Sequence, residues 1–212
     1  LNVVGSIKDV TIDTKVVGDA KIDASLENRK FKIRTLKLPV DDGLIAAGGT
    51  VDLDGDADLQ IAVRDVDIEP FLPLIGDNIN ATGSITGVIN MTGATKNPKV
   101  ELSASLANGS YNGIDIDQGF VLATMENHVI NVQRIQGVKE DYKISAYGKI
   151  PLAALYTTGY LDANDSKAMD MTIDFNEADM AVIPLITSTV KDATGALKGV
   201  VHVDRKSTRL NS

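Results

Sequence analysis

DIEPFLPLIGDNINATGSITGVINMTGATKN, residues 67–97, holds both elements from which the whole chain is built. An apolar, proline-containing segment, Pro70-Phe71-Leu72-Pro73-Leu74-Ile75, leads into a strand pattern. There Ile85, Gly87, Ile89 and Met91 alternate with Ser84, Thr86 and Asn90, punctuated by Thr82-Gly83 and Thr92-Gly93. A second copy lies downstream. Pro184-Leu185-Ile186 repeats Pro73-Leu74-Ile75 at an offset of 111 residues, and Ala193-Thr194-Gly195 repeats Ala81-Thr82-Gly83 at 112. Internal repetition governs every later inference about fold.

Working outward, Leu59, Ile61 and Val63 match Met171, Ile173 and Phe175, again 112 apart. Upstream, Phe31, Ile33, Ile45, Ala47, Gly49, Val51 and Leu53 match Ile130, Val132, Ile144, Ala146, Gly148, Ile150 and Leu152 at an offset of 99. The two offsets differ by an insertion near residues 154–167, most simply a longer loop. The copies share alternation and glycine placement with little residue identity, as expected of units that need only bury one face against their neighbours. The first repeat is assigned to residues 1–93 and the second to residues 94–203.

The rest of the chain has the same period of two. Val10 and Ile12, then Ala20, Ile22, Ala24 and Leu26, alternate with polar neighbours, and Glu27-Asn28-Arg29-Lys30 supplies a turn before Phe31 and Ile33. Asp41-Asp42-Gly43, Asp54-Gly55-Asp56 and Asn112-Gly113 read as further turns, the last a strong two-residue hairpin signal. One short helix is expected near residues 67–76, with Asp67 as its N-cap and Phe71, Leu74 and Ile75 on one face; a copy is expected over residues 179–190. The fold class is therefore all-β and mainly antiparallel, with one short helix per repeat. Each strand has a dry face, whose expected lining is Ile33, Ile45, Val51, Ile61, Ile85 and Ile89 in the first copy. Val100, Leu102, Leu106, Ile116, Leu122, Ile130, Val132, Ile144 and Ile150 line it in the second.

Composition narrows the chemistry. Aromatic residues are 4% of the 212, tryptophan is absent, and the apolar 43% is mostly Ala, Val, Ile and Leu, so buried surface is built from small aliphatic side chains. With no cysteine there are neither disulfides nor thiolate metal sites. Residues 204–212, DRKSTRLNS, resemble the translation of a sequencing adaptor and are set aside as non-native. Three of the 21 basic and one of the 29 acidic residues lie there, so the remainder carries 18 against 28, a net charge of −10. Such an acidic surface lacks the clustered Lys and Arg that nucleic-acid phosphates require. The chain begins at Leu1 without a signal peptide or an apolar run of about 18 residues, and is expected to be an internal piece of a longer protein.

Conventional sites do not emerge. Asp52, Asp54, Asp56 and Asp58 have the alternation of a calcium loop, but Ala57 and Val63 stand where that loop needs Gly and Glu, so a solvated turn accounts for them. His128 and His202 are expected alone on strands, without the spacing of a zinc site or a triad. No glycine-rich phosphate loop joins a strand to a helix, and the carboxylates are too evenly spread to nominate an acid–base pair. No enzyme activity and no cofactor are expected. The dry face is what remains. In a closed sandwich it would be core, and in an open sheet it would bind acyl chains; composition favours neither.

Several phrases together resemble the repeats of the TamB/AsmA-like (translocation and assembly module) envelope proteins. They are Thr-Gly-x-Ile-x-Gly at residues 82–87, Gly93-Ala94-Thr95-Lys96-Asn97-Pro98-Lys99-Val100, Gly113-Ile114, and Gly148-Lys149-Ile150-Pro151. The likeness covers roughly residues 1–203, through short motifs. It implies an elongated, curved β-sheet forming an open groove of the β-taco type, in the periplasm and anchored in the inner membrane by a preceding segment. It also implies movement of phospholipid toward the outer membrane, with acyl chains and neighbouring repeats of the same chain as partners. The family is further linked to insertion of outer-membrane proteins through a partner barrel, and the domain that would contact a barrel is not recognisable here. A structural or adhesive stalk with a closed core is the alternative.

Overall fold

A computed structural model describes residues 1–12, 15–75, 80–155, 168–179 and 195–205. Among them are twelve strands in one antiparallel sheet, with spatial order the same as chain order. The strands are β1 (Asn2–Ile12), β2 (Lys15–Glu27), β3 (Lys30–Val40), β4 (Gly43–Asp52), β5 (Asp56–Asp67), β6 (Ala81–Ala94), β7 (Lys99–Tyr111), β8 (Ile114–Glu126), β9 (Val129–Lys139), β10 (Tyr142–Pro151), β11 (Met169–Asp179) and β12 (Ala196–Arg205). Among the described residues each strand pairs with the next and β1 does not pair with β12, so the sheet is open. Asp204 and Arg205 pair with Asp170 and Met169 as the end of β12, whereas residues 206–212 lie outside the described residues.

The repetition extends to the detail of the backbone. Adding 99 to the bounds of β2, β3 and β4 gives those of β8, β9 and β10 residue for residue, and adding 112 brings β5 and β6 onto β11 and β12 to within three residues. Turns recur in the same way. Asn28-Arg29 (φ 47° and 63°) and Asn127-His128 (φ 52° and 59°) are both two-residue left-handed turns, the geometry whose twist matches that of the flanking strands. The expected Asn112-Gly113 hairpin is another, with φ 49° and 81°. His128 is therefore a turn residue rather than the strand residue expected; His202 does lie on β12. Bulges recur too: β3 shifts register between Ile33 and Leu36, and β9 between Val132 and Ile135, 99 residues later.

Helix is scarce. A 3₁₀ turn (Glu69–Phe71) runs into α1 (Leu72–Ile75), where the first helix was expected. Its N-cap is Ile68 and not Asp67; the Asp67 carboxylate instead accepts the Glu69 backbone N–H at 3.0 Å, closing a local turn one residue earlier. The side chains of Leu74 and Ile75, and residues 180–190 of the expected second helix, lie outside the described residues. A one-turn helix not expected from the sequence, α2 (Leu152–Leu155), follows β10 where the insertion begins.

No second layer covers this sheet among the described residues. Buried apolar residues among those described are few: Val17, Ala20, Val40, Ala57, Val66, Ala123, Val132, Ala153, Met171 and Phe175. The accessible surface is 13908 Å², against about 9,500 Å² for a compact protein of this mass. The most developed core sits at one end of the sheet, where Val17, Val40 and Val66 pack with Leu38, Ile45, Val63 and Phe71 of the 3₁₀ turn. Phe71 thus caps apolar surface that a short helical segment could not bury within itself.

Candidate functional site

Directly opposed residues of neighbouring strands share a face, so the register traces each face across the sheet. One such row runs Gly5, Ile22, Leu36, Ala47, Ile61, Ile89, Leu102, Ala123, Val132, Gly148, Met171, Val203. It crosses every strand without a polar side chain. A parallel row, Leu38, Ile45, Val63, Gly87, Ala104, Val121, Ile135, Ala146, Ile173, Val201, is equally apolar. A third holds Val66, Ile85, Leu106, Gly119, Gly137, Ile144, Phe175 and Gly199.

Of the residues expected on this face, Ile45, Ile61, Ile85, Ile89, Leu102, Leu106, Val132 and Ile144 stand in these rows; Ile33, Val100, Ile130 and Ile150 stand in a further one, Ala24, Ile33, Gly49, Leu59, Met91, Val100, Met125, Ile130, Ile150, and Val51 pairs with Phe31 and Ala57 two residues beyond it. Ile116 joins them, since its Cγ2 and that of Ile144 flank the position a Gly137 Cβ would occupy. Leu122 does not. It opposes Ser103 on one side and Arg134 on the other, and Phe120, two residues before it, opposes Ser105 and Gln136 on the same face. Residues 119–123 are apolar in succession, so alternation alone cannot fix their direction; Val121 and Ala123, which the sequence reading left out, occupy the dry face instead.

The other face is predominantly polar. A row of Gln60, Asn90, Glu101, Thr124, Asn131, Lys149, Asp170 and Asp204 crosses most of the sheet, with the Gln60 amide donating to Asn90 Oδ1 at 2.9 Å. Arg34, at the bulge in β3, pairs with Asp23 (Nε to Oδ1 2.7 Å) and reaches Ser25 Oγ at 3.3 Å. Hydrogen bonding to that guanidinium lowers the Asp23 carboxyl below its ordinary value. Of the Asp52-to-Asp58 run, residues 53–55 form the turn between β4 and β5, and Asp56 and Asp58 already belong to β5; Asp52 Oδ1 accepts the Asp54 N–H at 3.0 Å, and Asp54 pairs with Arg29 at 2.6 Å. Among the described residues no group of three or more His, Asp or Glu side chains is placed to hold a metal, and no helix is long and apolar enough to cross a membrane.

The dry face is uneven. Between β6 and β10 it dips into an open depression of about 320 Å³ lined by Ile85, Ala104, Leu106, Ile116, Gly119, Val121, Ile135, Gly137 and Ile144. Repeat symmetry explains its place. Gly137 is the counterpart, 99 residues on, of Leu38, which fills the equivalent space in the first copy beside Ile45; Ile45 in turn corresponds to Ile144. Where the first copy has a small core, the second has a hollow. Comparison with protein-family models, curated proteins and solved structures returns no match.

Proposed function

We propose that this sheet is a non-enzymatic lipid-conducting surface, with acyl chains lying along the dry face and polar headgroups directed to its margins. The observation that carries this reading is the uninterrupted apolar row from Gly5 to Val203, which spans all twelve strands and has no opposing layer among the described residues. An apolar face that continues from strand to strand holds a chain of methylenes at about 0.8 kcal/mol each without a specific pocket, which suits passage better than capture. The small side chains along it, Ala47, Ala104, Ala123 and Gly148, keep that surface free of protruding obstacles. The resemblance to TamB/AsmA-like repeats supports the same reading and adds a setting. In it, the repeats form a curved periplasmic groove, anchored at the inner membrane, that carries phospholipid toward the outer membrane.

Adjacent residues on opposite faces provide the test. Photo-crosslinking side chains at Leu102, Ile130 and Ile144 should give phospholipid adducts in cells, while those at Ser103, Asn131 and Ser145, one residue away on the polar face, should not. Adducts from the first set solely to protein would replace the conduit with a stalk whose dry face is closed by another layer. Equal lipid adducts from both sets would show no facial selectivity and remove the argument.

A further inference from the structure

The floor of the hollow is made by two glycines that the backbone does not require. Gly119 on β8 pairs directly with Gly137 on β9, and neither has a positive φ. Their counterparts 99 residues earlier are Ala20, which is buried, and Leu38, which packs in the small core of the first copy. The same unit therefore folds with side chains at both positions. Glycine inside a strand lowers stability, because it adds chain entropy to the unfolded state and contributes no side chain to packing. Crowding explains only part of the choice. A Cβ on Gly119 would press on Leu106 Cβ at 3.0 Å, but one on Gly137 would meet Ile144 Cγ2 at 3.4 Å and Ile116 Cγ2 at 4.0 Å, which are ordinary contacts. What glycine at 137 provides is the hollow itself.

Along its row the hollow lies between Leu106 on β7 and Ile144 on β10, three strand spacings or about 14 Å apart. The surface lining it is almost wholly apolar. It opens onto the neighbouring row at Ala104, Val121 and Ile135, so it is continuous with the face proposed to carry acyl chains. A straight chain lying across the strands rests on Leu106 and Ile144 and bridges the gap above the glycines. A chain with a fixed bend follows the surface down and removes more apolar area from water, which is what binding to such a surface depends on. A saturated chain reaches the same shape only by giving up conformational freedom that the bent chain has already lost. On a level stretch, such as the row through Leu102, the two have equal contact.

We infer that the hollow is a holding site for acyl chains with a fixed bend, such as a cis double bond. The second copy then discriminates among lipids, whereas the first, filled by Ala20 and Leu38, does not. This rests on the lipid-conducting reading and adds chain selectivity to it.

The test uses two lysophosphatidylcholines that differ only in chain geometry, oleoyl (cis) and elaidoyl (trans), each supplied as monomer below its micelle concentration. The protein carries a photoreactive diazirine side chain at Ile144, in the hollow, or at Leu102, on the level row. At residue 144 cis adducts should exceed trans adducts several-fold, and at residue 102 the two should be equal. Gly137→Leu should bring the ratio at 144 to about one, and Gly137→Ala, the smaller change, should lower it. Equal cis and trans yields at 144, with lipid adducts still formed at 102, overturn the holding site and leave the conduit intact. So does a cis preference equally large at 102, or one that survives Gly137→Leu in protein shown by urea melts to be folded. Absence of lipid adducts at both positions overturns the conduit and this inference with it.

Discussion

Gly137→Leu places in the second copy the side chain that the first copy carries at Leu38. The site has room: a Cβ on Gly137 would sit 3.4 Å from Ile144 Cγ2 and 4.0 Å from Ile116 Cγ2, ordinary contacts, and the rest of the side chain enters the roughly 320 Å³ depression. Burying a leucine side chain there is worth about 1.5–3 kcal/mol, to which relief of glycine's entropy in a strand adds about 0.5–1 kcal/mol. The variant is therefore expected to unfold in urea at a higher midpoint than the parent. Its lipid binding should fall at the same time. If the hollow holds a segment of acyl chain, four side-chain carbons displace about four methylenes, costing about 3 kcal/mol, or roughly two orders of magnitude in affinity. Both quantities can be read from one preparation, by urea melts and by phospholipid crosslinking at residue 144 or co-purified lipid. A lowered midpoint would refute the packing argument, because it would mean the depression is not free to accept a side chain. A raised midpoint with unchanged lipid would remove the depression from the lipid path.

Other expectations follow from the same geometry. Gly49→Ala and Gly148→Ala should each destabilise by more than about 2 kcal/mol in urea melts, since their φ values of 136° and 148° suit only glycine and an added Cβ would meet Asp58 O at 2.1 Å or Asp170 O at 2.2 Å. Gly199→Ala, with nothing within 4 Å, should change stability little. Equal effects at all three positions would contradict the close backbone approaches at Gly49 and Gly148. For Asp23, hydrogen bonding to Arg34 lowers the folded carboxyl's pKa, so its contribution to stability is present above the ordinary carboxylate value and is lost as pH falls through the lowered one. An NMR titration should place Asp23 below the ordinary aspartate value and move it back up in Arg34→Ala; a titration insensitive to that substitution would count against the pair.

Much of this architecture was legible because a strand needs only two things written locally, alternation and turn residues. Asn112-Gly113 and Asp41-Asp42-Gly43 mark turns by their tolerance of left-handed backbone, and glycine positions such as Gly49 and Gly148 mark equivalent close approaches in the two copies. Direction was harder. At Gly119-Phe120-Val121-Leu122-Ala123 both parities are apolar, and only pairing with Ser103 and Ser105 sends Leu122 and Phe120 to the polar face. Bulges hid in the same way: in β9 the dry face passes from Ile130 and Val132 to Ile135 and Gly137, a change of parity between Val132 and Ile135 that is not written in either residue. The depression was invisible for a further reason. It arises from what Gly137 lacks relative to Leu38, and an absent side chain is noticed only once the copies are superposed.

The one-sidedness of the sheet bears on how it stays folded. A closed sandwich holds itself together by burying two inner faces against each other, and a single layer has no such core. Here the described strands instead meet mainly their sequence neighbours, so stability is a sum of local pairings rather than one cooperative core. In such an arrangement the dry face is not what holds the strands together; the ladders and turns are. That frees the face from jigsaw packing, and its small and β-branched residues remain half-buried by one another while their outer surfaces stay reachable. A substitution such as Leu102→Ser should accordingly cost less than the 2–5 kcal/mol typical of truncating a core leucine, and should act chiefly on whatever the face binds. A full core-sized loss of stability in Leu102→Ser, measured by urea unfolding, would show that another layer packs on this face and that the surface is structural rather than functional.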